Sequence, residues 1–96
     1  MKNEDLTQRT RAFALRVIRL CDSLPKSRTA DIIARQLLRS GTSVGANYRA
    51  ACRAKSKADF IAKMGIVEEE CDECLYWTEL LIEAGIMKQP LLDGLM

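Results

Sequence analysis

The stretch Ser40-Gly41-Thr42-Ser43-Val44-Gly45-Ala46-Asn47-Tyr48-Arg49 lies in the middle of the chain and has the small-residue composition of a loop. Its surroundings indicate a helix instead, because apolar and small residues recur through it at the three- and four-residue steps of one helix face. The residues that carry this period are Ala30, Ile33, Ala34, Leu37, Gly41, Val44, Tyr48 and Ala51. The stretch therefore predicts a long central helix whose packing seam, at Gly41, Val44, Gly45 and Tyr48, lets another backbone approach closely.

The composition favours one small all-α domain covering residues 1–96. Apolar residues make up 48% of the chain and charged residues 29%, with five glycines, two prolines and almost no β-strand alternation. The sequence contains no apolar run of about 18 residues, so we expect no membrane span. The polar, mixed-charge start at residues 1–10 is unlike a signal peptide, and we expect a cytoplasmic protein.

Three long helices and a short fourth segment are predicted, forming an antiparallel up-and-down bundle. Their approximate bounds are 5–24, 29–54, 57–84 and 90–95. Pro25 ends the first helix, Ser27 or Thr29 caps the second, and Ser56 with Asp59 has the form of a capping box for the third. The connections are too short for anything but antiparallel neighbours.

The third helix has one main apolar face and a second patch beside it, and Gly85 is placed as its C′ residue. The main face comprises Phe60, Met64, Val67, Cys71, Cys74, Thr78, Leu81 and Ile82. Ile66 and Trp77 lie about 100° or more away from it, so another surface should cover them. The candidates are the fourth segment or another subunit, which gives Ile66, Trp77, Leu91 and Leu92 as candidate interface residues.

Four cysteines raise the question of a zinc site, since Cys71 and Cys74 form a C-x-x-C motif. In antiparallel helices, however, Cys21 and Cys52 lie near opposite ends of the bundle, roughly 30 Å apart. The chain also has no histidine, and its serines have no partner base. We therefore expect buried structural thiols, no metal, no cofactor and no enzymatic activity.

The distribution of Lys and Arg residues indicates a binding partner. Residues 1–57 hold 13 Lys/Arg against 4 Asp/Glu, whereas residues 58–96 hold 2 against 9. Five arginines of the second helix project within about 40° of one direction, opposite its core face. We call them the arginine stripe: Arg28, Arg35, Arg39, Arg49 and Arg53, with Lys57 following them.

A stripe of this kind suits a nucleic-acid phosphate backbone. The alternatives are a solvated face, or a face that pairs with acidic residues of a neighbouring subunit or protein partner. The expected function is accordingly a binding scaffold or adaptor that contacts RNA or another nucleic acid. The competing prediction is a purely structural protein–protein interaction module, for example an accessory subunit.

Several linked motifs carry a family resemblance. They are Ser40–Arg49, Ser56-Lys57-Ala58-Asp59-Phe60-Ile61-Ala62-Lys63, Glu68-Glu69-Glu70-Cys71-Asp72-Glu73, and Tyr76-Trp77 with Glu79-Leu80-Leu81. With these motifs at matching spacing, the sequence resembles the small bacterial four helix bundle proteins, also known as the 23S ribosomal RNA intervening-sequence protein family. The similarity extends from about Leu6 to Ile86.

The resemblance implies an antiparallel four-helix bundle that assembles as a ring-like homopentamer. It also implies kinship with accessory proteins of diversity-generating retroelements, which bind a reverse transcriptase and nucleic acid through a basic surface. No catalytic residues and no established molecular role come with the family. Family members continue from the Pro90 region into a full fourth helix with a basic tail, whereas this sequence stops at Met96.

Overall fold

The structure, a computed structural model, describes residues 3–88. These residues form three α-helices and the segments between and after them. The helices are α1 (Asn3–Ser23), α2 (Arg28–Cys52) and α3 (Lys57–Glu83). No strand occurs in this part of the chain, so the all-α prediction is confirmed there. The predicted fourth segment at 90–95 lies outside the described residues.

The starts of α2 and α3 are fixed by serine caps. Ser27 has extended backbone geometry and its side chain accepts a hydrogen bond from the Ala30 N–H, at 3.1 Å. Ser56 caps α3 in the same way, accepting from the Asp59 N–H at 3.0 Å. Asp59 completes the cap from the other side, because its Oδ2 accepts from the Lys55 N–H at 3.1 Å. In an ideal capping box this second bond would come from the N–H of the cap residue itself.

The end of α3 is a Schellman motif built on Gly85. Gly85 has φ +74°, the left-handed region that glycine adopts without steric cost. Its N–H donates to the Ile82 carbonyl at 2.9 Å, and the Ile86 N–H donates to the Leu81 carbonyl at 2.9 Å. The turn brings the chain back over the core, where Met87 is buried.

α2 is the central helix, because α1 and α3 each pack chiefly against it. The connections between the helices span residues 24–27 and 53–56, which is short enough to require antiparallel neighbours. All three helices contribute to the core, which comprises Val17, Leu20, Leu37, Val44, Tyr48, Val67, Cys74, Leu81 and Met87. The sequence prediction of a long central helix through Ser40–Arg49 agrees with this arrangement.

The apolar face of α3 is narrower than the sequence pattern suggests. Phe60 and Cys71 were expected on the main face, yet Phe60 is 40% exposed and Cys71 is also exposed. Cys71 lies at the edge of the buried arc, where it lines an open groove with Phe13 and Val44. Apolar side chains also lie exposed elsewhere around this helix, namely Ile61, Ile66, Leu75 and Tyr76. None of the helices within residues 3–88 has the length and apolar character that crossing a membrane requires.

Candidate nucleic-acid interface

The contact between α1 and α2 depends on the absence of side chains. A Cβ atom at Gly41 would lie 2.8 Å from both Cγ atoms of Val17, closer than real Cβ contacts come. At Gly45 a Cβ would lie 3.2 Å from Thr10 Oγ1. Val44 and Tyr48, the other two seam residues, are buried in the core. Side chains of α1 therefore pack directly against the backbone of α2 along the seam.

The contact between α2 and α3 is built from polar groups as well as apolar ones. Ser40 is fully buried and its hydroxyl donates to a backbone carbonyl of the preceding turn, Gln36 at 3.0 Å or Leu37 at 3.2 Å. The Cys74 thiol lies 3.4 Å from Ser40 Oγ and donates to it. Burial raises the pKa of the Cys74 thiol, so the thiol keeps the proton that this hydrogen bond needs.

Arg39 belongs to this polar contact and is turned towards α3. Its Nη1 lies 3.4 Å from Glu70 Oε1, and its Nη2 donates to Glu73 Oε2. Glu73 Oε2 also accepts the indole N–H of Trp77, at 3.1 Å. The side chain of Glu70 is only 16% exposed, so the ion pair is partly shielded from water. The sequence placed Arg39 in the arginine stripe, and the structure shows that it links α2 to α3.

The other four stripe arginines differ from Arg39. Arg28, Arg35, Arg49 and Arg53 are exposed, and within residues 3–88 none of them forms an ion pair with a carboxylate. Asp31 is the acidic residue that shares their part of α2, in its first turn. Arg49 and Arg53 lie over Ala46 and Ala50, with which they line a shallow depression. Lys57, the first residue of α3, is also exposed.

Arg11 of α1 joins this basic surface and was not selected from the sequence. It lines, together with Arg49, a groove of about 530 Å³ along the outer edge of the α1–α2 contact. We call this the α1–α2 groove; its lining comprises Thr7, Thr10, Arg11, Ala14, Thr42, Gly45, Ala46 and Arg49. Arg11 could not be assigned from periodicity, because its position depends on how α1 is rotated against α2.

The candidate interface residues on α3 occupy different environments. Ile66 is 43% exposed, whereas Trp77 is half-buried against the core and meets Tyr76 edge to face, with ring centroids 5.0 Å apart. Leu91 and Leu92 lie outside the described residues. Coverage of Ile66 and Trp77 by another subunit stays a prediction.

The four thiols lie in separate environments, and the expectation of buried thiols is wrong for Cys52 and Cys71, which are exposed. Cys21 donates to the Ala34 carbonyl at 3.5 Å, and burial beside Asp22 raises its pKa to about 11. Cys52 is exposed and hydrogen-bonds to Tyr48, whose pKa is raised mainly by burial. Within residues 3–88, no three His, Cys, Asp or Glu side chains are grouped so that they could hold a metal ion.

Comparisons with known proteins place the chain in a family. A model of the 23S rRNA-intervening sequence protein family matches residues 2–96. Among solved structures, the chain is similar to a protein of unknown function from the S23 ribosomal protein family of Bacteroides thetaiotaomicron. The two are 37% identical with a TM-score of 0.85, over 93% of this chain and 82% of that chain. No curated protein matches the sequence.

Proposed function

The chain belongs to the 23S rRNA-intervening sequence protein family, and we propose that it is a non-enzymatic, cytoplasmic scaffold or adaptor that binds RNA. The observation that carries the proposal is the exposed set of arginines on the outer side of α2. Arg28, Arg35, Arg49 and Arg53 have no carboxylate partner within the described residues. A surface of fixed positive charge without internal neutralisation suits an extended polyanion.

The form of this surface supports contact with the phosphate backbone of RNA. Arg28 and Arg53 are 25 positions apart, which corresponds to about 37 Å along a helix. The described aromatic residues Phe13, Tyr48, Phe60, Tyr76 and Trp77 do not belong to the stripe or the α1–α2 groove. Base stacking therefore has no support here, and the binding we propose does not depend on sequence. RNA is the first nucleic acid to test because the family's description refers to ribosomal RNA.

A second candidate function is a purely structural protein–protein interaction module. The exposed apolar residues of α3, Ile61, Ile66 and Tyr76, favour it, because soluble proteins commonly use such groups at interfaces. We propose that the protein is a homo-oligomer, and the resemblance to the family implies a pentamer. In the structural alternative, the stripe would pair with acidic residues of a neighbouring subunit or of a protein partner.

A salt titration of RNA binding separates the two functions. The test variant is Arg49→Ala/Arg53→Ala, and the control is Arg19→Ala/Lys26→Ala, which removes the same charge from exposed positions outside the stripe. We expect wild-type binding to weaken steeply with salt, and the test variant to lose most of its binding while its solution mass stays unchanged. Loss of the oligomer in the test variant, or equal RNA binding by both variants, would contradict the RNA-binding proposal.

A further inference from the structure

The α1–α2 groove brings two arginines from different helices to one place. Arg11 stands on the α1 side and Arg49 on the α2 side, and no Asp or Glu is among the described residues that line the groove. Resting on the proposed function, we propose that this groove is a phosphate seat: it takes one phosphodiester group of the bound RNA between the two guanidinium groups.

The charges beside the groove favour an anion. Arginine stays protonated at any physiological pH, so Arg11 and Arg49 both carry a positive charge beside the same groove. Like charges at a shared site repel each other, and the lining supplies no carboxylate to compensate. An anion bound in the groove would be attracted by both guanidinium groups and would offset their mutual repulsion. The opposite situation exists at the α2–α3 contact, where Arg39 already has Glu70 and Glu73.

The shape of the groove also suits a small anionic group. Ala14, Gly45 and Ala46 leave open space between the two arginines, and the groove volume of about 530 Å³ lies within the range of small-ligand sites. A Cβ at Gly45 would already crowd Thr10 Oγ1, at 3.2 Å. The open space therefore follows from the same small residues that allow α1 and α2 to approach each other.

The hydrogen-bond donors for the anion are the guanidinium groups. The Thr10 hydroxyl donates to the Thr7 carbonyl at 3.2 Å, and the Thr42 hydroxyl donates to the Leu38 carbonyl at 2.8 Å. Because both hydroxyl protons are donated to backbone carbonyls, these threonines line the groove but do not donate to the anion. Guanidinium forks match phosphate oxygens well and form strong, charge-assisted hydrogen bonds. Arg53 follows Arg49 by one helical turn and continues the same surface towards the next phosphate.

The test uses two variants of the full chain, each with a matched control. Arg11→Gln removes the positive charge on the α1 side of the groove. Its control is Arg19→Gln, at an exposed arginine of α1 outside the groove. Ala46→Leu fills the groove without changing any charge, and its control is Ala62→Leu at an exposed position of α3. Each protein is titrated with a short RNA at several salt concentrations. Each is also titrated with inorganic pyrophosphate, followed by amide NMR shifts at Gly45 and Thr10.

We expect Arg11→Gln to lower the slope of log K against log salt for RNA by about 1, the loss of one phosphate contact. Ala46→Leu should weaken RNA binding at least as much, and both controls should behave as wild type. Equal RNA binding by the two test variants and their controls would overturn the phosphate seat and leave the proposed function standing. If wild type binds no RNA, the proposed function fails. Pyrophosphate shifts that Arg11→Gln abolishes would then identify a site for free phosphate groups, and their absence would overturn the seat.

Discussion

On the side that faces α1, α2 presents glycine at positions 41 and 45, and the neighbouring helix comes within contact distance of its backbone. On the side that faces α3, it presents Ser40 and Arg39, which hydrogen-bond to Cys74 and pair with Glu70 and Glu73. The first contact is made by removing side chains and the second by pairing them. Both contacts are formed by neighbouring positions of one helix, between residues 39 and 45.

This difference explains why the arginines of the stripe do not all have the same kind of partner. Where α2 presents the small residues Gly45 and Ala46, the α1 residues beside Arg49 are Thr10 and Arg11. Neither is acidic, so Arg49 has no acidic neighbour on the α1 side. On the α3 side the neighbouring helix is acidic, and Arg39 is neutralised within the chain. Arginines that share one face of a helix can therefore differ in whether they are already paired within the chain.

The largest expected effect comes from adding one methyl group to the α1–α2 contact. Gly41→Ala should destabilise the protein by about 2 kcal/mol, since overpacking costs about 3 kcal/mol at a rigid site and alanine returns about 1 kcal/mol of helix propensity. Val17 is fully buried and β-branched, so it cannot move aside. Urea unfolding at a fixed protein concentration measures the change.

Gly65 provides the matched control, because nothing lies within 4 Å of a Cβ atom placed there. Gly65→Ala should stabilise the protein by about 1 kcal/mol from helix propensity alone. In addition, Val17→Ala should relieve Gly41→Ala, so that the double variant loses less stability than the two single variants together. Simple additivity of the two losses would show that Gly41 does not depend on Val17.

A smaller effect is expected from breaking the ion pair on the α3 side. Arg39→Gln should cost up to about 1 kcal/mol, because the pair is only partly shielded and exposed pairs contribute little. Arg49→Gln should leave stability within about 0.5 kcal/mol, as for an ordinary surface substitution. The measurement is again urea unfolding. Equal destabilisation by both variants would mean that the two sides of α2 do not differ in the way described.

The sequence was sufficient to predict the helices and their capping, because these depend on local signals. Ser27, Ser56 and Gly85 act at helix ends through contacts within a few residues, and the period through Ser40–Arg49 marks the central helix. The partners of Arg39 and the position of Arg11 could not be predicted in this way. They depend on the rotation of α3 and α1 about their own axes, which a helical period leaves undetermined.

The same limit accounts for the exposure of Cys71 and Phe60. Apolar residues lie all around α3, so the sequence pattern indicates the direction of the buried arc but not its width. The sequence places Val67, Cys74, Thr78 and Leu81 on the main face, and the structure buries all four.

A local spectroscopic effect is expected at Glu73. Glu73→Gln removes the charge that pairs with Arg39 but keeps an oxygen that can accept the Trp77 indole N–H. Glu73→Leu removes both interactions. We expect Trp77 emission close to wild type in the first variant and shifted in the second. Identical emission from both variants would show that the indole hydrogen bond is absent in solution.

A pH dependence of stability is expected from Cys21. Burial raises the pKa of its thiol from 9.0 to about 11 in the folded protein, so folding favours the neutral form. The stability from this residue is therefore complete below pH 9 and declines as the pH rises towards 11. Urea unfolding between pH 8 and pH 11 should show this decline in the wild type and less of it in Cys21→Ala. An equal decline in both proteins would contradict the raised pKa.

The salt dependence of RNA binding for Arg49→Gln/Arg53→Gln against Arg39→Gln compares the two sides of α2 in one measurement. If the two sides of α2 differ as described, the first variant lowers the slope of log K against log salt by about 2, one for each guanidinium group lost. Arg39→Gln keeps the wild-type slope, because that arginine is already paired with Glu70 and Glu73. A loss of slope in Arg39→Gln, with wild-type binding by Arg49→Gln/Arg53→Gln, would show that the RNA contacts Arg39 and not the unpaired arginines.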